Sequence, residues 1–170
     1  MYGVLHDPKY RKKYELNLKR EFPRIPFYSD FRKWAKWGKT LMDLHIGYET
    51  QKPYPGLKVT TAKWDEAKAG KPKAKLKADK ETGMISLDER TWLDGIPPTA
   101  WDYKLGNRSA LEWILDQHKE KTPRDPTIRE KFNTYRFADH KEKVIGLLAR
   151  VTRVSVDTQR IVAAMRTMPR

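Results

Sequence analysis

Residues 95–120, GIPPTAWDYKLGNRSALEWILDQHKE, constrain the fold more than any other stretch of the chain. They predict a short helix, a Gly-Asn turn and a second helix that opens on a capping box at Ser109 and Glu112. Lys104, Asn107, Arg108 and Ser109 crowd the turn. Basic and amide side chains at the start of a helix suit phosphates and base edges. The same pattern also describes an ordinary helix-turn-helix corner of a hydrophobic core.

The helix signals recur at both ends of the chain. Asp7-Pro8 predicts a helix start, with Tyr10, Tyr14 and Leu18 as its apolar stripe to about Glu21, before the break at Phe22-Pro23-Arg24-Ile25-Pro26. Ser29 or Asp30 caps a second helix to about Tyr48. It carries Trp34 and Trp37 among lysines, as stacking platforms or, for Trp34, as core. A second capping box, at Asp139 and Glu142, opens a helix from His140 to about Met165. Its stripe is Val144, Leu148, Val151, Thr158, Val162 and Met165, widened by Leu147, Val154 and Ile161. The stretch KTPRDPTIREKFNTYRF before it reads as a loop with one helical turn after Pro126.

Between residues 51 and 95 the period changes to two. Val59-Thr60-Thr61 suggests a strand. Lys73, Lys75 and Lys77 alternate with Ala74, Leu76 and Ala78, and Met84 to Leu87 returns after a turn at Asp79–Gly83. Such lysines either lie over phosphates or guard an exposed strand edge. The expected architecture is α+β: mainly helical, with a small antiparallel β-hairpin or sheet insertion at 52–95, lysine-rich, and a long C-terminal helix. Residues 1–170 form one domain, and Met1-Tyr2-Gly3-Val4-Leu5 reads as a start placed on an internal segment of a larger polypeptide.

Charge narrows the function. Thirty-six Lys and Arg face 22 Asp and Glu, a formal +14. Residues 1–25 carry +4, 63–80 carry +4 and 143–170 carry +5, a spread that fits a protein lying along a polyanion backbone. The chain has no cysteine, which excludes disulfides and thiolate zinc. No apolar run approaches membrane length, and a cytoplasmic, membrane-free monomer is expected. Catalytic signatures fail. Gly38-Lys39-Thr40 lacks the first glycine of a phosphate loop, since Lys33 stands there. His6, His45, His118 and His140 have no metal-ligand spacing. Asp65-Glu66-Ala67-Lys68 is a weak echo of a nuclease cluster, and Ile96-Pro97-Pro98 only mimics a methylation loop.

Several segments together identify a family. YGVLHDPKYRKKY, EFPRIPF, LMDLHIGYE, GIPPTAWDYKLGNRSALEWILDQHKEKT and DPTIREKFNTYRFADHKEKVIGLLARVTRVSVDTQRIV, in this order, resemble the C-terminal part of type ISP restriction-modification enzymes. Those are single polypeptides with a nuclease, a helicase-like translocase, an adenine methyltransferase and a C-terminal target-recognition domain. The resemblance implies a non-catalytic module that reads a short double-stranded DNA sequence beside the methyltransferase domain of the same polypeptide, so that the target adenine can be flipped. S-adenosylmethionine, ATP and magnesium would serve the parent enzyme, with no cofactor in this chain. Within that reading Lys71, Lys73, Lys75 and Lys77 are expected on phosphates, and Lys104, Asn107 and Arg108 at base edges. The alternative is a docking module that packs on the methyltransferase without touching DNA, leaving apolar faces, above all on the last helix, partly exposed.

Overall fold

The computed structural model describes residues 1–132 and 135–169. Asn133 and Thr134, which the sequence places in the loop before the last helix, lie outside the described residues. The architecture is α+β, mainly helical, with a small antiparallel sheet and a long C-terminal helix. The helices are α1 (Tyr2–Leu5), α2 (Pro8–Lys13), α3 (Glu15–Leu18), α4 (Phe31–Ile46), α5 (Glu66–Ala69), α6 (Ala110–Gln117), α7 (Pro126–Phe132) and α8 (Phe137–Thr167). Strands β1 (Lys58–Thr61), β2 (Ala74–Asp79), β3 (Met84–Asp88) and β4 (Thr91–Asp94) form one antiparallel sheet in the order β1-β4-β3-β2. Strands β5 (Lys104–Leu105) and β6 (Arg108–Ser109) form a separate two-residue ladder.

Helix α8, 31 residues long, joins two cores. Its N-terminal half, through Phe137, Val144, Leu148 and Val151, closes the core under the sheet and α6, with Ile85, Leu87, Leu93, Trp101, Leu111 and Leu115. Its C-terminal half puts Ile161 and Met165 against Val4, Tyr10, Trp34 and Leu41 of the N-terminal helices. The expected apolar stripe is therefore covered inside the chain: Val144, Leu148, Val151, Thr158, Val162 and Met165 are all buried. Large exposed apolar side chains sit instead at Leu16, Phe22, Phe27 and Phe31. Among the described residues no helix is long and apolar enough to cross a membrane.

A histidine pins the long helix to the N-terminal ones. His45 Nδ1 meets Tyr2 Oη at 2.6 Å, and its Nε2 meets Thr158 Oγ1 at 2.9 Å. Burial, with the neighbouring His6 as a smaller cause, pushes the His45 pKa down to about 4. The ring is thus neutral at pH 7, able to donate through one nitrogen and accept through the other.

Four points on the helices stand out, three of them corrections. The helix from Asp7 is broken at Tyr14 (φ −111°, ψ 22°), although Asp7 does cap α2 by accepting from the Lys9 N–H at 3.0 Å. The break folds the chain back so that Tyr10 Oη donates to the Arg24 carbonyl at 2.9 Å. Second, α1 packs on α4 with Gly3 against Gly38, so close that a Cβ on Gly3 would stand 3.0 Å from the Gly38 nitrogen. Gly38 is a packing residue there, not part of a phosphate loop. Third, α8 starts at Phe137, ahead of the Asp139–Glu142 pair, because its cap comes from far away: the Glu120 carboxylate accepts from the Phe137 N–H at 2.8 Å. Fourth, the central segment is not two helices around a turn. A 3-10 turn (Pro98–Asp102) leads into the β5–β6 ladder, and only then does α6 begin.

Candidate nucleic-acid interface

Lys104, Asn107 and Arg108 stand on one exposed β-hairpin. Leu105 pairs with Arg108 across a loop of Gly106 and Asn107, and Gly106 has φ 71°. Glycine at the first loop position with positive φ is the pattern of a type II′ hairpin turn. The hairpin is braced from below. Trp113 Nε1 donates to the Leu105 carbonyl at 3.1 Å, and the Ala110 N–H to the Tyr103 carbonyl at 3.0 Å. Arg108 reaches Asp116 at 3.1 Å, so its guanidinium is held over α6 while remaining exposed. Tyr103 is half-buried and stacks on His45, with centroids 5.2 Å apart.

The capping box is present in full. Ser109 Oγ accepts from the Glu112 N–H at 3.2 Å, and Glu112 accepts from the Ser109 N–H at 2.9 Å. Glu112 also receives Lys80 at 2.9 Å, from the β2–β3 turn. Partial burial opposes its ionisation, yet Lys80 and the two Ser109 donors outweigh that and hold its pKa at about 2. One carboxylate thereby locks the sheet insertion to the hairpin and α6.

Lys71, Lys73, Lys75 and Lys77 are all exposed, on and before β2. They alternate with the less exposed Ala74, Leu76 and Ala78 as expected, but the β2–β3 ladder is irregular. A bulge sets Lys75 and Leu76 opposite the single residue Leu87, with Leu76 at φ 40° and buried. Lys71, Lys73 and Lys75 line one cleft together with Lys119 and Arg136, while Lys77 lies outside its lining. Lys119 and Arg136 were missed from sequence because neither belongs to a charge run: one follows α6, the other precedes α8, and only the fold places them beside β2. The structure thus gathers the candidate residues, Lys77 excepted, into two groups, a hairpin and a cleft, at opposite ends of α6.

Other candidates dissolve into structure. Trp34 is buried and stacks on Tyr28 at 4.2 Å, so it faces no base. Asp65 caps α5 through the Ala67 N–H at 3.1 Å and pairs with Lys68 at 3.7 Å, which leaves that acidic cluster a surface turn. Among the described residues no three His, Asp or Glu side chains converge to hold a metal.

The family of Type ISP C-terminal specificity domains matches residues 1–147. The chain belongs to that family. Solved structures agree along the whole specificity domain. It is 60% identical to part of the chain in a cryoEM structure of a DrdV–DNA complex, covering 99% of itself and 17% of that chain, with a TM-score of 0.86. It is 31% identical to part of a nuclease-deletion mutant of the Type ISP restriction-modification enzyme LlaGI in complex with a DNA substrate mimic (99% and 13% covered, TM-score 0.72). It is 29% identical to part of the ATP-dependent Type ISP restriction-modification enzyme LlaBIII bound to DNA (96% and 10% covered, TM-score 0.72). The specificity domain therefore spans less than a fifth of the length of each of these chains. No curated protein sequence matches it.

Proposed function

We propose that this domain is the target-recognition module of a restriction-modification enzyme and reads a short sequence in duplex DNA. The observation that carries the reading is the braced, cation-bearing hairpin, in a fold matched almost end to end by parts of three DNA-bound enzymes. Two exposed strands and a tight turn fit the width of the major groove. Arg108 offers two parallel donors to the O6 and N7 of guanine, and Asn107 offers a donor and an acceptor to adenine. Lys104 and the lysines of β2 supply sequence-independent attraction to phosphates. In the longer polypeptide a neighbouring adenine methyltransferase domain would receive the target base, and S-adenosylmethionine, ATP and magnesium would bind there and in the translocase and nuclease, while this domain does no chemistry of its own.

The division of labour is testable by titrating the protein against cognate and scrambled duplexes at several salt concentrations. Arg108→Ala is expected to relax sequence preference by about 1–3 kcal/mol of discrimination. Lys75→Ala is expected to weaken both duplexes alike and to reduce the salt slope by about one unit. Equal losses for both variants on both duplexes would refute the assignment.

The exposed apolar side chains favour a second role alongside the first. Phe22 and Phe27 are 96% and 106% exposed, with Leu16 and Phe31 also outside either core. Isolated apolar residues on a surface are ordinary, but three phenylalanines within ten positions suit burial under another domain. The reading is that this segment packs on the methyltransferase domain of the same polypeptide. A Phe22→Ser, Phe27→Ser, Phe31→Ser variant is expected to lose co-purification with a separately produced methyltransferase domain while keeping its own thermal midpoint. Unchanged co-purification would remove the idea.

A further inference from the structure

Beside the hairpin, a heavily charged cleft lies between the start of β2, the end of α6 and the start of α8. Its volume is about 590 Å³. Lys71, Lys73, Lys75, Lys119 and Arg136 line it, against two carboxylates, Glu120 and Asp139. One of the two is already engaged, since Glu120 Oε1 accepts from the Phe137 N–H at 2.8 Å. Among the described residues no carboxylate pairs with Lys71, Lys73 or Lys75, and Lys119 is only 3.6 Å from Asp116 in a loose, exposed contact. The N-terminus of the 31-residue α8 opens on the same space through Ala138 and Asp139 and adds its partial positive charge.

We infer that this cleft is a clamp for one backbone phosphodiester of the bound duplex, with Lys73 and Lys119 as its two jaws and Arg136 at its back. The inference rests on the DNA-reading role proposed above and extends it to a second, separate contact. The chemistry of the lining selects this ligand. Lysines act as flexible point charges that need no particular orientation of the anion. Among the described residues no aromatic side chain lines the cleft to stack on a base, and the floor of Pro72, Ala74, Leu76 and Ala138 offers an apolar surface to a sugar. The position also fits. From the Ser109 cap to the His118 cap α6 rises by about 13 Å, roughly four base steps of a duplex. The hairpin and the cleft can thus engage one DNA molecule at once, the first reading bases and the second holding the strand in register.

The test combines protein and DNA changes. Lys73→Ala and Lys119→Ala are surface changes, so their thermal midpoints should match that of the unaltered protein. Together they are expected to reduce the salt slope by about 0.9 units, since the two jaws hold a single phosphate and one lost phosphate contact removes about 0.9. A scan of single methylphosphonate substitutions along each strand of the cognate duplex is expected to find one position where neutralising the phosphate weakens the unaltered protein but costs the double variant nothing further. Sequence preference, measured as the cognate-to-scrambled ratio, should stay as it was. If the losses from protein and DNA add at every position, or the double variant keeps the full salt slope, the clamp is overturned while the hairpin reading stands. If the full-length protein shows no salt-dependent affinity for duplex DNA at all, both fall together.

Discussion

Replacing Lys141 by methionine is expected to destabilise the protein by about 3–5 kcal/mol, the usual cost of stranding a buried charge. Lys141 Nζ donates to Asp88 Oδ2 at 2.7 Å and to Thr91 Oγ1 at 2.6 Å. The two charged side chains are 17% and 7% exposed, and Thr91 is fully buried. Asp88 also accepts from the Arg90 N–H at 2.9 Å. Burial works against ionisation of Asp88, but Lys141, the Arg90 N–H and Thr91 together outweigh it and hold its pKa below the ordinary carboxylate value. A depressed carboxylate pKa means that the folded state binds fewer protons than the unfolded one. The stabilisation is fully present above the ordinary aspartate pKa and is lost as pH falls below it and through the depressed folded-state value. Without Lys141 burial dominates, the sign reverses, and the penalty shrinks in acid as the carboxyl takes up its proton. Urea midpoints at pH 7 and pH 4 check both halves. A variant within 1 kcal/mol of the original at pH 7 would show that the pair is not needed. The pair also matters for function, because it fastens the first turns of α8 to the β3–β4 turn and so sets one wall of the cleft.

Gly83→Ala is expected to cost on the order of 3 kcal/mol, combining backbone strain with a steric conflict. Gly83 has φ 69°, a conformation that penalises any Cβ. A Cβ there would also overlap the carbonyl oxygen of Ile96, and that is backbone that cannot swing aside. The approach is close because the Ile96 N–H donates to the Gly83 carbonyl at 3.0 Å, tying the β2–β3 turn to the entry of the central segment. Gly106→Ala is the matched control. Its φ is 71°, but nothing lies within 4 Å of the added carbon, so only the conformational penalty of about 1 kcal/mol applies. Equal thermal shifts for the two variants would mean that the Ile96 contact does not matter. A larger loss for Gly83→Ala, accompanied by weaker DNA affinity, would show that the turn carrying Lys80 positions the hairpin through Glu112.

Much of the fold was legible because its signals are local. A capping box is a matter of four consecutive residues, and Ser109 and Glu112 form one as expected. Asp7 and Asp30 cap their helices through N–H groups two and three residues on. The stripe of the last helix and the turn from Asp79 to Gly83 likewise depend on neighbours in sequence. The misplaced start of α8 had the opposite cause. Its cap comes from Glu120, 17 residues away, and no local pattern can announce that. The Gly-Asn turn looked helical on both sides because a two-residue ladder is too short to show a period of two.

The candidate site divides along the same line. Charge, family resemblance and the crowding of Lys104, Asn107 and Arg108 within five positions are properties of the chain alone, and they nominate the residues and the class of ligand. Only the tertiary structure decided how those residues are grouped. Folding brought Lys119 and Arg136, 17 positions apart, beside lysines some fifty positions upstream. It also paired Arg108 with Asp116, buried Trp34 and stacked the half-buried Tyr103 on His45. Local order follows from interactions within a helical turn or a tight loop, which sequence encodes directly. A binding surface depends on which distant segments share a core, and that is determined by packing along α8.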